Sequence, residues 1–362
     1  MTRIRPVERS DLPAVASLYE RVMRSGDGRS PPLLAAYFER TWLDHPWADP
    51  EIPSLVYEAR DGMLAGFIGA HVRRLRFDGR PLRMVCPGQL VSDPAGSHHA
   101  AGALLMRKLL GGAQDITVAE GPAPVRQILE GLGGVTLQGP SVNWTRFFRP
   151  ARAVGDELLA RSRHPRWRAP VRPLMTAADA LATRALPRLR AEPPTARAEP
   201  LTPAAVVEHM PAVLKGMRLV PDYSPAFLEW LFAEMTSVRT RGTLIRCLVR
   251  NEDRVLGWYV TYVKPGGVGE VMQIAAAARD MPAVIDQLFH RARQTGTAAL
   301  EGRLEPNLHE PLSGRGCLLR YGARVVAHSN DSELVTQLAR SHSFITRMDG
   351  EWWMGHHREP FT

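Results

Sequence analysis

The apolar positions of the chain alternate between helical and strand-like spacing in a fixed order. Ile4 to Val7 reads as a strand. Asp11 then stands as an N-cap before a helix over Leu12–Met23, with Pro13 in its first turn and Leu12, Val15, Ala16, Leu18 and Tyr19 on one stripe. Ser30-Pro31 opens a second helix, to about Leu43. The period then shortens. Ser54–Ala59, Leu64–Leu75 and Leu82–Val91 read as an antiparallel meander joined at Asp61-Gly62 and Asp78-Gly79, the residue pairs that tight hairpin turns favour. After Pro94 the pattern gives a helix over Ala100–Leu110, a buried strand over Ile116–Ala119, a helix over Pro124–Leu132 stopped at Gly133-Gly134, and closing strands within Val135–Phe148.

The same order then recurs. Helices are predicted over Pro203–Met217 and Ser224–Met235, and a meander over Leu244–Val249, Val255–Val263 and Glu270–Ala275. A helix over Met281–Arg293, a strand over Ala298–Leu304 and a helix over Leu308–Arg320 follow, with closing strands at Arg324–His328 and Phe344–Met348. Individual residues echo as well. Ser30, Pro31, Leu34 and Phe38 return as Ser224, Pro225, Leu228 and Phe232, Asp61–Phe67 as Glu252–Trp258, Gln89–Val91 as Gln273–Ala275, and Ala119–Gly121 as Leu300–Gly302. The offsets are 194, 191, 184 and 181 residues, in register and in order, which marks an internal duplication. The division this predicts is a first domain over 1–150, a linker with one helix over 151–197 and a second domain over 198–362.

Between the copies, Pro165–Pro173 reads as extended, Thr176–Leu189 as a helix and Glu192-Pro193-Pro194 as a linker. Residues 146–197 hold twelve arginines against four acids, +8 of the chain's net +9. That excess suits a solvated linker or contact with an anionic partner; with few aromatics nearby, a nucleic-acid platform is not expected. No run approaches the length of a membrane span, and no apolar leader follows Met1, so a cytoplasmic protein is expected. Cys86, Cys247 and Cys317 are too scattered for a disulfide framework or a zinc site, and His356 and His357 lack further ligands, so no metal is expected. The tail pair Trp352-Trp353 packs on a groove or lines a site.

Pro94–Gly102 carries the strongest candidate chemistry. It joins a strand to a helix through small residues, where unpaired amides and the helix dipole favour a phosphate. Gly96, Ser97, Ala100, Ala101 and Gly102 would let backbone approach a ligand closely, and His98 and His99 could add positive charge. The second copy has Ala275–Ala278, Arg279, Asp280, Met281 and Pro282 here, with no glycine and with a carboxylate where an anion would arrive.

This succession of elements resembles the GCN5-related N-acetyltransferase (GNAT) superfamily, present twice: an α/β (α+β) chain of two tandem units, each a mostly antiparallel mixed sheet flanked by helices. The family's pyrophosphate motif, Arg/Gln-x-x-Gly-x-Gly/Ala, falls on Ser97 to Gly102, where only Gly102 keeps a defining residue. The two-unit plan also resembles mycothiol synthase and the Fem-type transferases. The resemblance implies an N-acyltransferase that uses acetyl-CoA or another acyl-CoA and acts on a small-molecule amine such as an amino sugar or amino acid derivative. It implies that Gln89, Leu90 and Val91 hold the pantetheine by their backbone. Glu120 at a strand end is the first candidate for general base, with Glu301 its echo in the second copy and Asp93 a third. The family's tyrosine acid is replaced by Leu129. Glu301, Arg303 and Glu305, together with His309, Glu310, Arg315 and Arg320, are candidates for acceptor contacts or a solvated face. The alternatives are a non-catalytic binding or scaffold protein of the same fold and a Fem-type aminoacyl-tRNA-dependent transferase.

Overall fold

The computed structural model describes residues 2–24, 32–94, 100–161, 168–185, 193–322, 325–340, 342–350 and 359. In chain order its elements are β1 (Arg3–Pro6), α1 (Leu12–Met23), α2 (Pro32–Phe38), β2 (Leu55–Glu58), β3 (Leu64–Phe77), β4 (Arg80–Ser92), α3 (Ala101–Leu110), β5 (Ile116–Glu120), α4 (Ala123–Gly131), β6 (Val135–Leu137) and β7 (Val142–Phe147). They continue with α5 (Pro150–Arg161), α6 (Arg168–Ala185), β8 (Arg197–Pro200), α7 (Pro203–Val213), β9 (Leu219–Pro221), α8 (Pro225–Ser237), β10 (Thr243–Asn251), β11 (Arg254–Val263) and β12 (Val268–Ala276). The last are α9 (Met281–Gln294), β13 (Ala299–Arg303), α10 (His309–Ser313), β14 (Cys317–Tyr321), β15 (Val325–His328) and α11 (Ser332–Leu338).

The strands form two sheets of matching order, β1-β2-β3-β4-β5-β15-β6 and β8-β10-β11-β12-β13-β7-β14, with β9 pairing β3 off the first path. Each sheet is antiparallel except at one central pair, β4 with β5 and β12 with β13. The Asp78-Gly79 turn joins β3 to β4 with both residues at positive φ, 49° and 83°, which places Phe77 opposite Arg80 as a two-residue hairpin requires.

The compact units are not contiguous in sequence. One comprises Met1–Gln138, Arg218–Met235 and Arg324–Thr362; the other Gly139–Met217 and Thr236–Ala323. The expected division at 150 and 198 differs because β7, which follows β6 in the chain, is hydrogen-bonded between β13 and β14, while β15, which follows β14, lies between β5 and β6. Both strands read as closing strands of their own copy, and each closes the other sheet. Three further expectations change. Leu308–Arg320 is a short helix followed by β14, because Gly314 caps α10 and Gly316 turns the chain at φ 63°. Residues from Arg168 onward are helical, with Pro173 inside α6, rather than extended. Phe344–Met348 is not a strand.

In the first unit α3 and α4 cover one sheet face, packing Leu105, Met106, Leu109 and Leu129 against Ile68, Ala70, Val72 and Val85. The opposite face is covered by aromatic packing, with Phe38 stacked on Phe67 at 6.0 Å and edge-on to Tyr19 at 5.5 Å. The second unit sets Val284, Ile285, Leu288 and Phe289 of α9 against Tyr259, Ile274, Trp144 and Leu300.

Candidate functional site

The centre of the first sheet is irregular in a way that opens it. Phe67 pairs with Val91 and Gly69 with Gly88, so Ile68 alone faces two residues of β4, Gln89 and Leu90. Such a bulge bends its strand and frees backbone groups. Gln89 adopts φ +46°, a left-handed conformation that costs an L-residue about 1–2 kcal/mol and therefore has to be held by its surroundings. The consequence appears on the other side of β4. Its parallel ladder with β5 consists of Met84–Ile116 and Val85–Thr117. Beyond that point no ladder joins Cys86–Ser92 to Val118–Glu120 among the described residues, and the two strands form a wedge. The other side of β5 is fully used by β15, from Glu120 opposite Val325 to Thr117 opposite His328.

The helix α3 starts at the head of this wedge. Ala100 is its N-cap and supplies no side-chain oxygen to the first-turn amides, while its carbonyl accepts the Leu104 N–H at 2.9 Å. Gly102 is buried against β4: a Cβ there would lie 3.5 Å from Ser92 Oγ and 3.9 Å from Leu90 Cδ1. The structure thus gathers Leu90, Ser92 and Gly102, with Ala100 and Ala101 adjoining. Val91 and Gln89 are buried and Leu90 half-buried. Gly96, Ser97, His98 and His99 lie outside the described residues, as do Trp352, Trp353, His356 and His357.

The candidate acids and bases differ in setting. Asp93 accepts a 2.6 Å hydrogen bond from Arg21. Glu120 ends β5, half-buried, at the open side of the wedge. The chain bends at Gly121, where a Cβ would come within 2.9 Å of the Val125 side chain, so only glycine fits the turn into α4. Leu129, in the slot of the family's tyrosine, is buried in the core and offers no proton.

One cluster was not anticipated. On the β3–β4 face opposite α3, His71, Arg73 and Cys86 are fully buried. Arg73 Nε donates to the Asp349 carbonyl at 3.0 Å, and the Asp349 carboxylate accepts hydrogen bonds from Tyr223 Oη, the Thr346 amide at 2.8 Å and Thr346 Oγ1 at 2.7 Å. Burial raises the Asp349 pKa, against the pull of Tyr223 and Thr346. His45 stacks on His71 with centroids 4.5 Å apart. Burial, helped by the neighbouring Arg73 charge, lowers His45 to about 3 and holds His71 well below the usual imidazole value. Two neutral imidazoles and a hydrogen-bonded Arg–Asp contact tie β3 to residues 342–350. The available signal was Gly69-x-His71-x-Arg73, polar residues at strand period within an otherwise apolar run.

The second sheet repeats the frame. Val260 faces Gln273 and Thr261 faces Val271, which leaves Met272 as the extra residue on β12. The β12–β13 ladder runs only from Val268–Ala299 to Glu270–Glu301. Its fittings differ. The Gln273 carboxamide accepts the Trp258 indole N–H at 2.8 Å. At the head of α9, Asp280 is bound by both Arg254 nitrogens at 2.7 and 2.9 Å, which holds its pKa down, and Pro282 removes a first-turn amide. Of the acceptor candidates, Glu301 stands beside Glu270 in register. Arg303 and Glu305 are buried 3.9 Å apart, Arg315 is bound to Asp286, and Arg320 is exposed on β14. All of these lie in the second unit. Among the described residues no group of three or more His, Cys, Asp or Glu side chains could hold a metal ion, and no helix is long and apolar enough to cross a membrane.

No protein-family model matches the chain, and no curated protein matches it significantly. Solved structures do. A GCN5-related N-acetyltransferase from Anabaena variabilis aligns with TM-score 0.59 and 11% identity over 92% of this chain and 74% of that one. One from Kribbella flavida aligns with TM-score 0.56 and 14% identity over 92% and 73%. N-myristoyltransferase from Saccharomyces cerevisiae, solved with myristoyl-CoA and inhibitors, aligns with TM-score 0.52 and 13% identity over 91% and 80%. At these identities what is shared is architecture, and the two sheets, each with its wedge, have the fold of the GCN5-related N-acetyltransferases.

Proposed function

We propose that the chain is an acyl-CoA-dependent N-acyltransferase whose reaction takes place in the β4–β5 wedge of the first unit, with a small-molecule amine as acceptor and acetyl-CoA as the first donor to test. The observation that carries this reading is the conjunction at one place of the Gln89 bulge, the broken β4–β5 ladder and a helix head whose N-cap, Ala100, has no polar side chain. The residues present fit such a donor. The open edge of β4 at Gln89, Leu90 and Val91 offers backbone groups to an extended amide chain, and the first-turn amides of α3, over the small Gly102, suit a diphosphate.

A bound acyl thioester supplies an activated carbonyl carbon. The chain's own part is mainly positioning, which can lower a barrier by roughly 7–11 kcal/mol. The β4 edge orients the donor, and a backbone N–H at the bulge polarises the carbonyl oxygen. Glu120 takes the proton from the acceptor nitrogen, and the short ladder leaves room for that amine between the strands. Asp93, bound by Arg21, is the lesser candidate for that role.

The test is thermal melting with and without acetyl-CoA. At a hundredfold excess over Kd the ligand stabilises by about 2.7 kcal/mol, and the melting temperature rises by several degrees. Gly102→Glu places a carboxylate at the helix head and should abolish the rise. An unshifted melting curve at millimolar acetyl-CoA and longer-chain acyl-CoAs ends the reading. A second reading, binding without turnover, is favoured by the apolar Leu129 in the slot of the usual acid; release of free thiol with any amine removes it.

A further inference from the structure

The second unit is strongly basic and the first is not. The second holds 25 arginine and lysine residues against 14 acids, net +11, and the first 21 against 23, net −2. These totals already count every acid, so ion pairs within a unit leave them unchanged. A distant anionic surface responds to the net value.

The helix α6 adds an uncovered apolar stripe to the basic unit. It is set on α5 by the side that carries Met175 and Asp179. The Asp179 carboxylate accepts the Ala151 N–H at 2.7 Å and the Arg152 N–H at 3.2 Å, and Met175 packs over Gly155, where a Cβ would leave it no room. Leu174, Ala178, Leu181 and Ala185 follow one another at helical spacing on a different face. All four are exposed, Leu174 at 70% and Leu181 at 64%, and Ala177 beside them is exposed as well. None of these side chains carries a charge or a hydrogen-bonding group. The usual surface helix turns its apolar stripe inward and its polar side outward. Here the side turned inward carries the carboxylate, and the leucines face out.

We propose that α6 docks on the surface of an anionic lipid bilayer, with its leucine stripe among the headgroups and the net charge of its unit supplying the attraction. Charge alone suits any polyanion, and an apolar stripe alone suits any hydrocarbon. A bilayer with anionic headgroups offers both at once. A nucleic-acid strand would meet leucine and alanine where it needs stacking rings. A second copy of the chain would bring one +11 unit against another. The docking is peripheral, since no helix among the described residues is long and apolar enough to cross a membrane. The proposal does not rest on the acyltransferase reading.

Vesicle co-sedimentation decides it. The full chain is mixed with vesicles of equal parts phosphatidylglycerol and phosphatidylcholine, and with vesicles of phosphatidylcholine alone, at low and at high salt. It should bind the anionic vesicles, lose most of that binding as salt rises, and stay in solution with the neutral ones. Leu174→Ser with Leu181→Ser should weaken the partition about tenfold or more. Leu318→Ser with Leu319→Ser removes two exposed leucines of the same unit from β14 and leaves its charge unchanged. That variant should stay within about twofold of the parent. Hydrogen exchange reads the contact without any substitution: α6 peptides of the unaltered chain should gain protection on anionic vesicles. Absent binding, equal losses in the two double variants, or protection gained elsewhere and not on α6 overturns the proposal. So does α6-dependent binding of single-stranded RNA, or an α6-dependent dimer, where vesicles are not bound. Acyl-CoA takes no part in these measurements, so their failure leaves the acyltransferase reading standing, and an absent acetyl-CoA response leaves the docking surface standing.

Discussion

The two sheets share strand order, a bulge on the fourth strand and a short parallel ladder to the fifth, yet their wedges are finished differently. In the first, the helix head behind the wedge carries Ala100, Ala101 and Gly102, with no charged side chain among these three. In the second, Asp280, bound to Arg254, sits at that head, Pro282 lacks an amide and Gln273 is committed to Trp258. The two units share the frame because the frame is what buries the core. The fittings differ: Asp280 is bound to Arg254 and the Gln273 carboxamide to Trp258. On this contrast rests our proposal that the donor binds in the first unit.

The units should also differ in acid, and this is the largest effect expected. His45 titrates at about 3 in the folded first unit against 6.5 when exposed, and His71 is lowered too. The unfolded chain therefore binds protons below pH 6.5 that the folded unit refuses, and stability is lost as the pH falls through that window. For His45 alone the loss approaches about 5 kcal/mol by pH 3. Asp349 works in the opposite sense: burial raises its folded pKa, so its contribution grows as the pH falls and offsets part of the loss. The second unit's Asp280 has a lowered pKa, and its contribution is lost only below the usual carboxylate range. Hydrogen exchange at pH 7 and pH 4.5 should show β3–β4 peptides losing protection before β11–β12 peptides. His45→Phe should narrow the gap; equal losses in both units would contradict the account.

Next in size is catalysis. Glu120→Gln should lower kcat by roughly 10²–10⁴-fold, about 3–5 kcal/mol, while the acetyl-CoA melting shift is kept. The matching change Glu301→Gln should alter kcat by less than twofold. Steady-state rates with a panel of amines check both, and the reverse ranking would exchange the roles of the two units.

The smallest effect concerns the second helix head. Asp280→Ala breaks an ion pair whose arginine is about half exposed and should cost no more than about 1 kcal/mol. Because Pro282 remains, it should not create a second acetyl-CoA site; a second equivalent in calorimetry would show that Asp280 alone closed it.

Much of this contrast was legible in the sequence. The α1 helix falls at Leu12–Met23 as its apolar stripe and Asp11 indicate, and Asp78-Gly79 makes the expected hairpin, since both signals are local. Asp280 falls at the head of α9 as the sequence indicates, but its carboxylate binds Arg254 and makes no cap hydrogen bond. The partners of β7 and β15 were not legible. A short strand states its faces but not its neighbours, and pairing over more than 150 residues, as between Arg303 and Asn143, leaves no local trace. The buried Arg73, Tyr223 and Asp349 come from three distant segments, so no spacing could join them.

The most direct measurement is a crystal structure of the full chain soaked with acetyl-CoA. The account predicts donor density in the first unit, its pantetheine along Gln89–Val91 and its diphosphate at the amides heading α3, with none along Gln273–Ala275. Density in the second wedge at the head of α9, or a first wedge filled by the chain's own side chains, would contradict it.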